Sequence, residues 1–261
     1  MPDVLSSTAA AMHQRDWIAA LDKGLGLLEA FGDEWPRMSA TQAGQRCGMT
    51  RTAARRHLLT LAHLGYLATD GKMFWITPKV LRLGQSYLES ARLPRLVQPY
   101  LQRVVEGTRE HAYVSVLDGY EVVYIAHQGP TRAMGTGYVL GARVPAQVTG
   151  AGMLLLAAQD DAFLKQWLDT QPLRTFTSHT IATRERIERE LARIRQQGWA
   201  LSDNQLELNF RGVAVALRDR RGAVVAALSI TMPIGQESGE NAVKRVLGVL
   251  LENAQTLRNL L

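Results

Sequence analysis

Between Arg37 and Arg82 the chain carries eight Lys or Arg side chains and a single acid, Asp70, although its formal net charge is only +6. The rest of the 261 residues is close to charge balance, so the basic character is local and suits a polyanionic partner. The same stretch is punctuated for short helices. Ser39 is placed to cap a helix over residues 40–47, Gly48 supplies a turn, and Thr50 caps a second helix that Gly65 stops. Two short helices joined by a tight glycine turn make a helix-turn-helix. On the second, Ala54, Leu58 and Leu61 share the face that turns inward, while Thr52 and Arg56 lie opposite, with Arg55 on the flank and Arg51 at the N-terminal end. Residues 66–77 then read as two strands around Asp70-Gly71, a dipeptide suited to the positive backbone angles of a tight hairpin. Helix, turn, helix and wing in a cationic stretch is the pattern of a DNA-reading winged helix.

The flanks extend that plan. Residues 1–15 are small and polar and read as a disordered arm, and Trp17, Ile18, Leu21, Leu25 and Leu28 recur at helical spacing to about Phe31. The winged helix thus spans 16–77. Thr77-Pro78 opens a linker helix over 78–92, and Pro94 and Pro99 bracket the entry to a second domain over 93–261, which starts with an amphipathic helix through Val97, Tyr100, Leu101, Val104 and Val105. Strands are expected at 112–117, 121–127, 213–217 and 224–229, and helices at 151–158, 160–170, 183–197 and 241–260. Strand pairs separated by helices imply an α+β domain built on an antiparallel sheet.

Several chemistries are excluded. Cys47 is the only cysteine, so no internal disulfide or thiolate zinc cluster forms, and none of the six histidines has metal-ligand spacing. Residues 135–141 contain three glycines at the wrong spacing for a dinucleotide loop, and no nucleophile elbow is present. Neither a secretory segment nor a bilayer-length apolar run occurs, so a cytoplasmic protein that does not enter membranes is expected. No metal or other cofactor is expected either.

The run Ala53-Ala-Arg-Arg-His-Leu-Leu-Thr-Leu-Ala-His-Leu-Gly-Tyr-Leu67, the wing, residues 78–84, Leu140-Gly-Ala-Arg-Val-Pro-Ala146 and Gly150-Ala-Gly152 occur in order, and with them the chain resembles the IclR family of bacterial transcription regulators over nearly its full length. Met49-Thr-Arg-Thr-Ala-Ala-Arg-Arg56 and Leu117-Asp-Gly-Tyr-Glu-Val-Val-Tyr124 resemble most the branch that senses protocatechuate or 4-hydroxybenzoate and controls aromatic catabolism. The resemblance implies a winged helix that dimerises on operator DNA, a linker helix, and a C-terminal GAF-like domain that binds a small organic acid. It also implies a homodimer or tetramer, with RNA polymerase as a further candidate partner. Carried over by position, Arg56 is the family's recognition-helix arginine, and the effector pocket falls on Met134, Gly150, Ala151, Ser202 or Asp203, Gly212, Ser229 and Thr231. Some relatives have a cysteine where this chain has Gly212, which leaves a roomier and less polar wall here.

The residues agree with those roles chemically. Arg56 or Arg55 can pair bidentately with guanine, whereas Arg51, Lys72 and Lys79 suit phosphates, with Thr52 beside them. Gly150-Ala-Gly152 opens a helix whose backbone N–H groups attract a carboxylate, and Ser229 and Thr231, two apart on a strand, present hydroxyls to one side. Tyr113, Tyr124, Arg132 and Met134 are candidates for ring contacts or charge pairing. The leading reading is a ligand-responsive transcription factor with no enzymatic activity. The alternatives are a small-acid-converting enzyme with a DNA-recruiting head and a nucleoid-binding protein without sequence preference.

Overall fold

Ser39 and Gln42 close a capping box, each side chain bonding the other's backbone, and this starts helix α2 at Ala40–Arg46. Thr50 Oγ1 accepts from the Ala53 N–H at 3.2 Å and starts α3 at Arg51–His63. Gly48 makes the turn between them at φ +63°, and Gly44 lets α2 approach it: a Cβ there would lie 2.8 Å from the Met49 carbonyl oxygen. These elements belong to a computed structural model that describes residues 14–130 and 138–261. Arg132, Met134, residues 135–137 and positions 1–13 of the expected arm lie outside the described residues.

The chain divides into two units between Ser90 and Ala91. In the first, α1 (Ala19–Glu29) packs on α3, and Leu27, Met38, Ala43, Leu58, Leu67 and Phe74 form its core. Strands β2 (Leu67–Thr69) and β3 (Met73–Ile76) make the hairpin expected around Asp70-Gly71. Asp70 Oδ1 accepts from the Met73 and Lys72 amides, which holds its carboxyl below the usual range, and Gly71 has φ +94°. A third strand, β1 (Met38–Ser39), adds to β3 and was not legible, because two residues carry no periodicity. Beyond the hairpin, Pro78–Val80 is a 3₁₀ turn and α4 runs Leu81–Ser90.

The second unit begins with α5, Arg92–Thr108, which contains both Pro94 and Pro99. Pro94 falls in the first turn of this helix, where no N–H is required, and Pro99 takes a solvent-facing position within it. Six antiparallel strands follow: β4 (His111–Asp118), β5 (Glu121–Gln128), β6 (Arg143–Pro145), β7 (Trp199–Asp203), β8 (Phe210–Arg218) and β9 (Val224–Pro233). They lie in the order β6-β5-β4-β9-β8-β7. On one face α5 and α9 (Gly239–Arg258) pack through Val97, Leu101, Val246 and Leu250 against Val213, Val215 and Ile230. The other face is covered by α6 (Gly150–Ala157), α7 (Asp161–Thr170) and α8 (Arg184–Gln197), with Tyr113, Tyr124, Ala214 and Ala227 of the sheet beneath them. Strands β6 and β7 were missed by sequence reading, the first for its length and the second because an edge strand ending in Ser-Asp has no clean alternation. Among the described residues no helix is long and apolar enough to cross a membrane.

Every residue of α6 is buried, so the helix depends on small side chains where it meets the segment before it. A Cβ on Gly152 would fall 2.2 Å from the Ala146 carbonyl oxygen and 2.5 Å from its Cα, both backbone atoms unable to turn aside. Gly152→Ala is expected to lower stability by about 1–3 kcal/mol, read as a fall in the denaturant midpoint at unchanged slope.

Candidate functional site

Pleating of β7, β8 and β9 sorts their side chains into two sets. Val213 and Val215 join the core under α5 and α9 while Ala214 joins the core under α6, so Gly212 faces the α6 side and Arg211 the α9 side. By the same rule Ser202 lies with Ala200 on the α6 side and Asp203 with Leu201 on the other. Ser229 and Thr231 flank Ile230 and share the α6 side.

The polar set on that side lines a small cavity open to solvent. Ser202, Gly212, Ser229 and Thr231 form one wall, Thr149, Gly150 and Ala151 at the start of α6 another, and Tyr124 and Tyr138 a third. Gln205, Glu207 and Phe210 rim it. Gly150 and Gly212 allow the close approach: a Cβ on Gly212 would lie 2.8 Å from Ser202 Oγ, and one on Gly150 would lie 3.2 Å from the Gly212 carbonyl oxygen.

Two of the α6 amides assigned to a carboxylate are engaged within the chain. The Gly150 N–H donates to Ser202 Oγ at 3.0 Å, and the Gly152 N–H donates to Thr149 Oγ1 at 2.9 Å. Ser202 Oγ thus accepts from the positive end of α6 and keeps its own proton to donate. The Ser229 and Thr231 hydroxyls bond no other described residue. The cavity therefore offers hydroxyl donors and a helix N-terminus to an acid.

Tyr124 and Tyr138 stack at 4.5 Å between ring centroids and 7° between planes. Burial, followed by its tyrosine neighbours, pushes the Tyr124 phenol far up, and burial with nearby Glu207 pushes Tyr138 up to about 12. Both stay neutral at physiological pH. Tyr113 packs edge-on to each but does not line the cavity; it is fully buried behind them. Asp203 is not in the cavity either. Its carboxylate holds the Arg211 guanidinium on the opposite face of the sheet, with Nε and Nη2 each 2.7 Å from an oxygen, and Arg211 Nη1 donates to the Glu237 carbonyl at 3.0 Å. Tyr138 and Thr149 were missed by sequence reading. Tyr138 carries no periodic signal, whereas Thr149, the cap of α6, was legible as a Thr directly before the glycine pair.

In the first unit, Arg51, Thr52, Arg55 and Arg56 are exposed on α3, and Lys72 is exposed at the hairpin tip. None of these side chains pairs with another described residue. Lys79 differs: its Nζ donates to the Leu64 carbonyl at 2.6 Å and lies 5.0 Å from the centre of the Tyr66 ring, so it serves the C-terminal end of α3. Arg37 sits 4.3 Å over the Trp75 ring and braces the hairpin. Arg56 also edges an apolar groove lined by Leu21, Leu25 and Leu28 of α1, Leu61 and Leu64, and Leu83 of α4.

Comparison with known proteins agrees with both halves. The family model for the IclR helix-turn-helix domain matches residues 20–71, and that for the bacterial transcriptional regulator IclR C-terminal region matches residues 85–259. The chain is 40% identical to the Pca operon regulatory protein of Acinetobacter baylyi, over 98% of this chain and 94% of that protein. It is 38% identical to the p-hydroxybenzoate hydroxylase transcriptional activator of the same organism, over 95% and 94%. A crystal structure of an IclR homolog complexed with 4-hydroxybenzoate, from Microbacterium hydrocarbonoxydans, superposes with a TM-score of 0.72 at 25% identity, covering 92% of this chain and 99% of that one.

The Asp203 and Arg211 pair bears on stability more than on the cavity. Asp203→Asn leaves a buried guanidinium without its counter-charge; because Asp203 is partly exposed, the expected loss is about 2–3 kcal/mol, below that for a fully buried pair. Urea unfolding should show that loss while the cavity hydroxyls stay in place.

Proposed function

This chain belongs to the IclR family of bacterial transcriptional regulators, and from that premise we propose that it reads operator DNA through α3 and the hairpin and senses an aromatic hydroxy acid in the cavity beneath α6. As a family member it is a transcription regulator rather than an enzyme. The observation that carries the effector reading is the cavity itself, where hydroxyls and a helix N-terminus face a stacked tyrosine pair. An acid group would take the Ser202, Ser229 and Thr231 side, and an aromatic ring the Tyr124 and Tyr138 side. The regulator of p-hydroxybenzoate hydroxylase and the 4-hydroxybenzoate complex among its relatives support hydroxybenzoates or protocatechuate as the class.

For DNA, Arg55 and Arg56 are assigned to base edges and Arg51, Thr52 and Lys72 to the phosphate backbone. Lys79 is omitted from that set because the end of α3 uses it. A single 13-residue reading helix addresses one half-site, so two copies are required for a two-fold operator. The groove beside α3 suits that pairing. Trp17, Ile18, Leu21 and Leu25 of the first helical region and Leu81, Leu83 and Tyr87 of α4 are all exposed, an apolar surface that a second copy would cover.

Arg56→Ala should weaken operator binding by roughly tenfold to a hundredfold in a gel-shift titration, with an unchanged melting temperature; unaltered affinity would remove the assignment. Leu25→Asp should shift the sedimentation of the free protein toward monomer. Calorimetric titration of the full chain with 4-hydroxybenzoate, protocatechuate and glyoxylate tests the effector class, with saturable heat expected from the aromatic acids alone.

A further inference from the structure

We infer that Tyr113 determines specificity for a hydroxyl on the effector's ring. The inference rests on the reading of the cavity as an aromatic-acid site. Tyr113 is wholly buried on β4, and its Oη has no hydrogen-bond partner among the described residues. Burial pushes its phenol up, so it is a neutral O–H; the backbone of Tyr138 approaches the oxygen and offsets part of that rise, but the proton itself has no acceptor. His127 does not supply one. Its ring lies face to face with Tyr113 at 4.7 Å and 23°, and its Nε2 is 3.2 Å from His111 Nδ1.

A buried donor left unmatched opposes folding, and phenylalanine would fill the same space without that cost. The hydroxyl is therefore retained for something the chain does not contain. Its surroundings say what. Tyr113 touches Tyr124 edge-on at 5.1 Å and Tyr138 at 6.0 Å, and it is paired across the sheet with Ser229; all three of those residues line the cavity. The ring that carries the orphan O–H thus packs directly behind the two tyrosines of the aromatic wall, whereas the Gly150 and Ser202 end suits a carboxylate. A benzoate whose acid group is held there and whose ring reaches the tyrosines would bring a ring hydroxyl oxygen toward it. That oxygen accepts from Tyr113; an unsubstituted ring offers no acceptor and leaves the donor unpaired.

Calorimetric titration of the full chain with 4-hydroxybenzoate, protocatechuate and benzoate, in wild type and Tyr113→Phe, tests this. The wild type is expected to prefer the hydroxylated acids by roughly tenfold or more. In Tyr113→Phe that ratio should fall toward one while the melting temperature without ligand stays equal or rises. A variant that keeps the wild-type ratio, the result expected if a buried water satisfies Tyr113, overturns the inference and leaves the effector reading intact. So does a wild type that binds benzoate as tightly as its hydroxylated analogues. If the wild type binds none of the three acids, the effector reading itself falls and this inference with it.

Discussion

The two-residue repeat of the β-strand decides what the second unit can bind. Along β7, β8 and β9, adjacent residues with opposite chemistry are sent to opposite sides of one sheet: Ser202 from Asp203, Gly212 from Arg211, and Ser229 and Thr231 from Ile230. One side receives hydroxyls and a bare backbone; the other receives a closed ion pair set among valines and leucines. A slip of one residue in register would exchange the sets and put a guanidinium where the hydroxyls now stand.

That sorting explains how an acid can be recognised without a free cation from these strands. Arg211 is already neutralised by Asp203 behind the sheet, so on the proposed reading attraction would come instead from α6, whose first amide donates to Ser202. A hydroxyl polarised by a helix N-terminus is a weaker anchor than an arginine, and it has a different use. On the proposed reading it would leave the choice among acids to the rest of the cavity, where Tyr124 and Tyr138 stand.

Much of the first unit was legible in the sequence because its signals are local. Ser39, Thr50, Gly48 and Asp70-Gly71 each act within four residues of themselves, and each does in the structure what its chemistry dictates. The long strands and helices of the second unit were found in the same way. Residues whose roles are set by distant partners were harder. Whether Ser202 or Asp203 faces the cavity depends on the register of a strand too irregular to recognise, and the engagement of Lys79 depends on how the chain folds back after the hairpin. Tyr138 was invisible because its place follows from stacking on Tyr124 rather than from any pattern around it. The exposed apolar face of α1 was seen as periodicity, but periodicity alone does not tell whether a face is covered by its own chain or by another.

The bond from Lys79 to Leu64 has a mechanical meaning. Lys79 belongs to the turn that launches α4, and Leu64 caps the C-terminal end of α3, so one ammonium rivets the connector's root to the tail of the reading helix. The Tyr66 ring lies beside the same ammonium, 5.0 Å from its nitrogen to the ring centre. The start of α4 and the end of α3 thus share one side chain, and a substitution at Lys79 is felt by both.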